Sequence, residues 1–125
     1  MIILREALII HQILIDRFGG SSGIRDQALL ESALNRPYAT FDGQELYPSP
    51  EEKASAIIES ILINHPFTDG NKRTGYTLMR LLLMSYHKDI KATEEEKYDF
   101  VINIASSKYQ YEDILEWIRS KLKNK

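Results

Sequence analysis

His65-Pro66-Phe67-Thr68-Asp69-Gly70-Asn71-Lys72-Arg73-Thr74-Gly75 holds a histidine, a carboxylate, an amide, a lysine, an arginine and two glycines within eleven residues. A helical pattern runs up to Asn64 and Pro66 forbids its smooth continuation. A second pattern starts near Asn71, so the stretch predicts a helix, a tight loop and another helix. The loop therefore ends at a helix N-terminus, where unpaired backbone N–H groups and the positive end of the helix dipole meet. Gly70 lets the backbone come close to a ligand, and Lys72 and Arg73 add positive charge, which makes an anion site suited to phosphates. Asp69 stands beside it as a lone carboxylate, the usual protein contribution to a Mg²⁺ ion that also binds phosphate oxygens. His65, at the end of the preceding helix, could take a proton from an incoming hydroxyl.

Each residue has a plainer role when taken alone. A histidine at a helix end caps or packs, an Asp-Gly pair makes a turn, and Lys-Arg on a first turn is solvated. Positive charge at that end opposes the dipole, however, and a bound anion would account for it. The spacing of all these groups together outweighs the separate structural roles.

The string HPFTDGNKRTG resembles the signature of the Fic/Doc family. The Fic branch reads H-P-F-x-D/E-G-N-G-R-x-x-R, matched here at His65, Pro66, Phe67, Asp69, Gly70, Asn71 and Arg73. Lys72 replaces the second glycine and Tyr76 the second arginine; both departures resemble the Doc, or death-on-curing, branch, H-x-F-x-D-x-N-K-R. Gly23-Ile24-Arg25-Asp26, followed by Leu29 to Leu34 and Arg36-Pro37, resembles the region upstream of the motif in Doc-like proteins.

The resemblance implies a Mg²⁺-dependent transfer from ATP to a Ser or Thr hydroxyl of a protein. His65 would be the base, Asp69 the metal ligand, and Gly70, Asn71, Lys72 and Arg73 the phosphate and nucleotide ligands. Fic enzymes use the second glycine and final arginine to seat ATP for AMP transfer. Doc toxins hold the nucleotide reversed and pass the γ-phosphate to elongation factor Tu, and the Lys72 ammonium is consistent with that altered phosphate placement. The expectation is therefore a Doc-like toxin that phosphorylates its target and blocks translation. AMP transfer is the alternative, with a catalytically silent nucleotide-binding module behind it and a DNA-binding operon regulator last. Many Fic proteins carry an inhibitory Ser/Thr-x-x-x-Glu-Gly/Asn motif; the nearest string here, Ser55 to Glu59, is followed by Ser60 and lies inside the helix leading to His65. Inhibition is then expected from a cognate antitoxin whose segment folds on binding.

The 125 residues suit one domain, spanning 1–125, with 43% apolar and 27% charged residues. A formal charge of −2 argues against direct nucleic-acid binding. With no cysteine, disulfides and thiolate metal sites are excluded. Arg5-Glu6 interrupts the first apolar run and no run approaches membrane-spanning length, so the expectation is a cytoplasmic protein away from membranes.

The remaining chain predicts an all-α fold, a compact Fic/Doc-type bundle of about six helices with the active loop, 65–73, between two central helices. Residues 4 to about 18 place Leu4, Ala7, Leu8, Leu14, Ile15 and Phe18 at helical spacing, stopped by Gly19-Gly20. His11 falls near this apolar side, where a packing role outweighs a catalytic one. Asp26 caps a helix packed through Ala28, Leu29, Leu30, Ala33 and Leu34. Residues 37–49 have turn formers and aromatics but no helical period; in the family this is the flap over the active site. Ser49-Pro50 with Glu52 is a capping box opening the helix of Ala54, Ile57, Ile58, Ile61 and Leu62. Leu78, Leu81, Leu82 and Met84 anchor its partner, and Phe67 packs under the loop. Thr93 to Glu96 opens a fifth helix through Tyr98, Val101, Ile102 and Ala105, and a break at 106–110 precedes a sixth bearing Ile114, Leu115, Trp117, Ile118 and Leu122. Lys121, Lys123 and Lys125 complement its C-terminal end, and no strand is predicted.

Overall fold

A computed structural model describes residues 1–124, so the predicted role of Lys125 lies outside the described residues. Six α-helices follow in order: α1 (Leu4–Phe18), α2 (Gln27–Asn35), α3 (Pro50–Asn64), α4 (Asn71–Met84), α5 (Glu94–Ala105) and α6 (Tyr111–Lys121). The start signals act as the sequence predicts. Asp26 accepts from the Leu29 N–H at 3.0 Å, and Ser49–Glu52 and Thr93–Glu96 form reciprocal capping boxes.

The centre of the molecule is α3, buried on nearly every side: Ala54, Ile57, Ile58, Ile61 and Leu62 face the core, and Lys53, Ser55 and Ser60 are buried too. At about 2 kcal/mol for each fully buried large aliphatic, this one helix anchors the apolar cluster. α4 lies against it so closely that a Cβ on Gly75 would stand 2.4 Å from Leu62 Cδ1. The buried face of α4 is Leu78, Met79, Leu82 and Leu83, whereas Leu81 and Met84, expected as anchors, are half-buried. α6 packs on α3, and Trp117 stacks on the buried Phe100 of α5 with centroids 3.7 Å apart.

Three expectations need correction. Phe18 was assigned to the packing face of α1 but is 55% exposed; the last turn overhangs the core, and the Arg73 guanidinium lies 4.3 Å from the ring centroid. The expectation of no strands also fails. Thr40–Phe41 (β1) pairs with Gln44–Glu45 (β2), and Lys88–Ile90 (β3) with Leu122–Asn124 (β4), both antiparallel. Asp42 and Gly43 both take positive φ, 52° and 77°, which gives the primed turn that closes a two-residue hairpin. Strands this short carry no readable alternation. Leu122 and Lys123 therefore belong to β4 rather than to α6, and Lys121 pairs with Glu96 across α5 and α6.

Candidate active site

The loop between α3 and α4 is held from several directions. Its backbone lies along residues 23–26: Arg25 and Asp26 donate their N–H groups to Pro66 O at 2.8 and 3.0 Å, and the Thr68 N–H donates to Gly23 O at 3.1 Å. Phe67 is fully buried, and its ring stacks on His11 at 3.9 Å with only 6° between the planes. His11, itself 3% exposed, bonds through Nε2 to the backbone oxygen of Asp69 at 2.8 Å. A packing role for His11 and Phe67 was legible; that His11 clamps the loop was not, because the contact spans 58 residues of chain.

His65 is the C-terminal cap of α3 and has a left-handed backbone, φ 49° and ψ 60°. That conformation costs a non-glycine residue about 1 kcal/mol and is tolerated where surrounding structure enforces it. Here the Arg25 guanidinium supplies the constraint, donating Nε to His65 O at 2.7 Å and its Nη2 to Asn64 O. The His65 side chain is exposed and makes no hydrogen bond to the described residues, so packing does not explain it.

Asp69 is exposed at the loop tip, its Oδ1 accepting the Gly70 N–H at 2.8 Å and its Oδ2 the Ser21 N–H at 3.1 Å. Those N–H donors, Ser21 first, hold its carboxyl below the usual carboxylate range. Gly20 makes the approach possible, since a Cβ there would stand 2.8 Å from Asp69 Oδ2. Among the described residues no group of three or more His, Cys, Asp or Glu side chains could enclose a metal. The exposed Asp69 carboxylate is the donor type of an ion that takes one protein carboxylate and fills its shell with water and phosphate oxygens, as Mg²⁺ does.

Gly70 begins α4 with φ 76° and offers no side-chain cap. The N–H groups of Asn71, Lys72 and Arg73 thus lack intrahelical partners, and two exposed cations sit on the same turn. The Asn71 side chain has another task than the one foreseen. Its Oδ1 accepts the Phe67 N–H at 2.9 Å and its Nδ2 donates to Phe67 O at 3.0 Å, so what it keeps for a phosphate is its backbone N–H. These residues border a groove of about 520 Å³ completed by Tyr76 and, from α5, by the ion pair Glu94–Lys97 and by Tyr98, Val101 and Ile102. The Tyr76 hydroxyl is buried with no hydrogen-bond partner among the described residues, and burial pushes it up to about 12, so it brings no charge to the groove.

The sequence model of the Fic/DOC family matches residues 2–83. The chain belongs to the Fic/Doc family. It is also similar to Toxin Doc of Mycolicibacterium smegmatis (strain ATCC 700084 / mc(2)155), 46% identical over 59 residues, which cover 47% of this chain and 45% of that protein. The match spans about half the length of this curated relative. As a Fic/Doc protein it has the expected helical architecture, with the loop that carries the family's signature seated between its two central helices. No helix of the described residues is long and apolar enough to cross a membrane.

Proposed function

We propose that this protein is a Doc-like toxin that transfers the γ-phosphate of ATP to a Ser or Thr hydroxyl of a protein, elongation factor Tu by family resemblance. The observation that supports this best is one short loop with an uncapped, doubly cationic helix start at one end and, at the other, an exposed His65 that makes no hydrogen bond among the described residues. In this reading the N–H groups of residues 71–73, with the Lys72 and Arg73 side chains, bind the phosphates through charge-assisted hydrogen bonds, while Gly70, whose own N–H is held by Asp69, lets the backbone approach them. Asp69 would hold Mg²⁺, which when bound offsets the charge of the phosphate oxygens. His65 takes the proton of the acceptor hydroxyl as its oxygen bonds to the γ-phosphorus. The bond from that phosphorus to the bridging oxygen breaks, and ADP leaves.

Tyr76 favours γ-phosphate over AMP transfer. A neutral, buried phenol stands where AMP-transferring relatives place a cation, which removes one ligand from the nucleotide pose those enzymes use. The toxin reading carries with it a cognate antitoxin as partner, a cytoplasmic setting, and the hairpin β1–β2 in the place of the flap.

His65→Ala is the test. Transfer of label from ATP to a protein should fall by at least about 10³-fold, within the range of a lost general base, while Mg-ATP binding and the melting temperature stay close to wild type. Unfolding of the variant would instead assign His65 to the end of α3 as a structural cap.

A further inference from the structure

The end of α1 and the residues just after it meet the active loop side by side. Ser21 donates its N–H to Asp69 Oδ2, and Gly20 leaves room for that carboxylate. Phe18, on the last turn of the helix, has no such obvious task. It is 55% exposed and lies outside both the buried apolar cluster and the half-buried side chains packed on that cluster. Burial therefore does little to explain a phenyl ring at this position. What faces the ring is a cation, for the Arg73 guanidinium lies over it at 4.3 Å from the centroid.

Arg73 is a residue in need of a neighbour. It stands exposed on the first turn of α4, where the helix dipole disfavours positive charge, and its side chain makes no hydrogen bond or ion pair among the described residues. An arginine left free there would sample many rotamers and lose that freedom only when a phosphate arrives. The ring restricts it in advance. Cation–π attraction acts on the guanidinium charge and uses none of its five N–H donors, so the fork stays open to phosphate oxygens. A carboxylate in the same place would occupy those donors and cancel the charge. Arg17 lies 5.7 Å from the same centroid, but on the last turn of α1 its charge already complements the dipole. The contact matters most to Arg73.

We infer that Phe18 is a positioning residue for the transfer reaction, holding the Arg73 guanidinium at the phosphate site before the nucleotide binds. Gly20 and Ser21 hold the Asp69 carboxylate in the same way, so the end of α1 sets both a cation and the carboxylate of the site. The inference rests on the reading of Arg73 as a phosphate ligand given above.

Calorimetric titration with Mg-ATP tests this role without requiring transfer. Phe18→Leu keeps an apolar side chain but removes the π-face. It should raise Kd for Mg-ATP about three- to fivefold, as expected for one cation–π contact at an exposed site, with a melting temperature close to wild type. Phe18→Tyr should restore the affinity. In an Arg73→Ala background, itself weakened about tenfold or more, Phe18→Leu should add nothing, because its effect passes through the arginine. Phe18→Met repeats the measurement if the leucine variant melts early. A Kd unchanged by loss of the ring, or the same loss of affinity in the Arg73→Ala background, overturns the positioning role and leaves the nucleotide site standing. A wild-type protein that does not bind Mg-ATP removes the nucleotide site, and the role of Phe18 with it.

Discussion

The active loop and the hairpin β1–β2 are both short connections, one after α3 and the other before it, yet they are built in opposite ways. Between residues 65 and 70 the loop is fixed by donors from residues 21, 25 and 26, by the side chains of His11, Arg25 and Asn71, and by a fully buried phenyl ring. The hairpin pairs only with itself, Thr40 to Glu45 and Phe41 to Gln44, and residues 40–46 are all exposed. It is tied at the base, by Arg36 to Tyr47 and by the buried Lys53 ammonium to Glu45 Oε1 at 2.9 Å. Under the proposed function the difference has a reason, since reacting groups need fixed geometry whereas a segment in the place of the flap has no such need.

The contrast can be broken most directly at Asn71. Asn71→Ala strips the partners from both backbone groups of buried Phe67, which should cost about 3 kcal/mol of stability, read by urea unfolding. Displacing the loop by even an ångström should lower transfer about 100-fold. Phe41→Ala on the hairpin should change stability by less than about 0.5 kcal/mol. Equal effects from the two substitutions would mean that the loop is no more fixed than the hairpin.

His11→Ala comes next. Losing the bond to Asp69 O and the stack on Phe67 should cost about 2 kcal/mol, with transfer reduced at unchanged acceptor KM. Two glycines then give a matched pair, since Gly70 and Gly43 have nearly the same φ, 76° and 77°. Alanine at either should cost about 1 kcal/mol in backbone strain. At Gly43 the added methyl meets nothing, whereas at Gly70 it lies 3.1 Å from Ile15 Cδ1 and 3.6 Å from His11 Nε2. Gly70→Ala should therefore be the more destabilising in thermal melts, and the only one of the two to weaken Mg-ATP binding.

The smallest effect is a pH dependence. The Asp69 carboxyl sits below its ordinary 3.8 in the folded protein, so the stability it contributes is complete above that value and is lost as pH falls through the folded value. Amide exchange at residues 20–21 and 69–70 should accelerate on acidification below about pH 3.8 in the wild type and show no such step in Asp69→Asn. Exchange at 40–46 serves as the internal reference.

Much of this was readable from local chemistry. Ser49-Pro50 with Glu52, Thr93 with Glu96, Asp26, and Gly19-Gly20 bound helices because capping and termination involve groups only a few residues apart. The residues 65–73 stand out for the same reason. Contacts between distant segments were not readable: His11 against Asp69, Ser21 against Asp69, and Arg25 against His65 bring α1 and the loop after it onto the active loop, and nothing in their spacing announces it. Phe18 shows the reverse error, since helical periodicity locates a face of α1 but not where the core beneath it ends. Asn71 was read as a ligand from the family signature; here both ends of its amide are engaged by Phe67.

The central claim is that this loop passes on a terminal phosphate. Incubating the protein with Mg²⁺, elongation factor Tu and ATP labelled at either the α- or the γ-phosphate, beside His65→Ala, tests it directly. The account predicts that label reaches elongation factor Tu from the γ position only, and from neither position with His65→Ala. Label arriving from the α position would contradict it and make the protein an AMP transferase despite Lys72 and Tyr76.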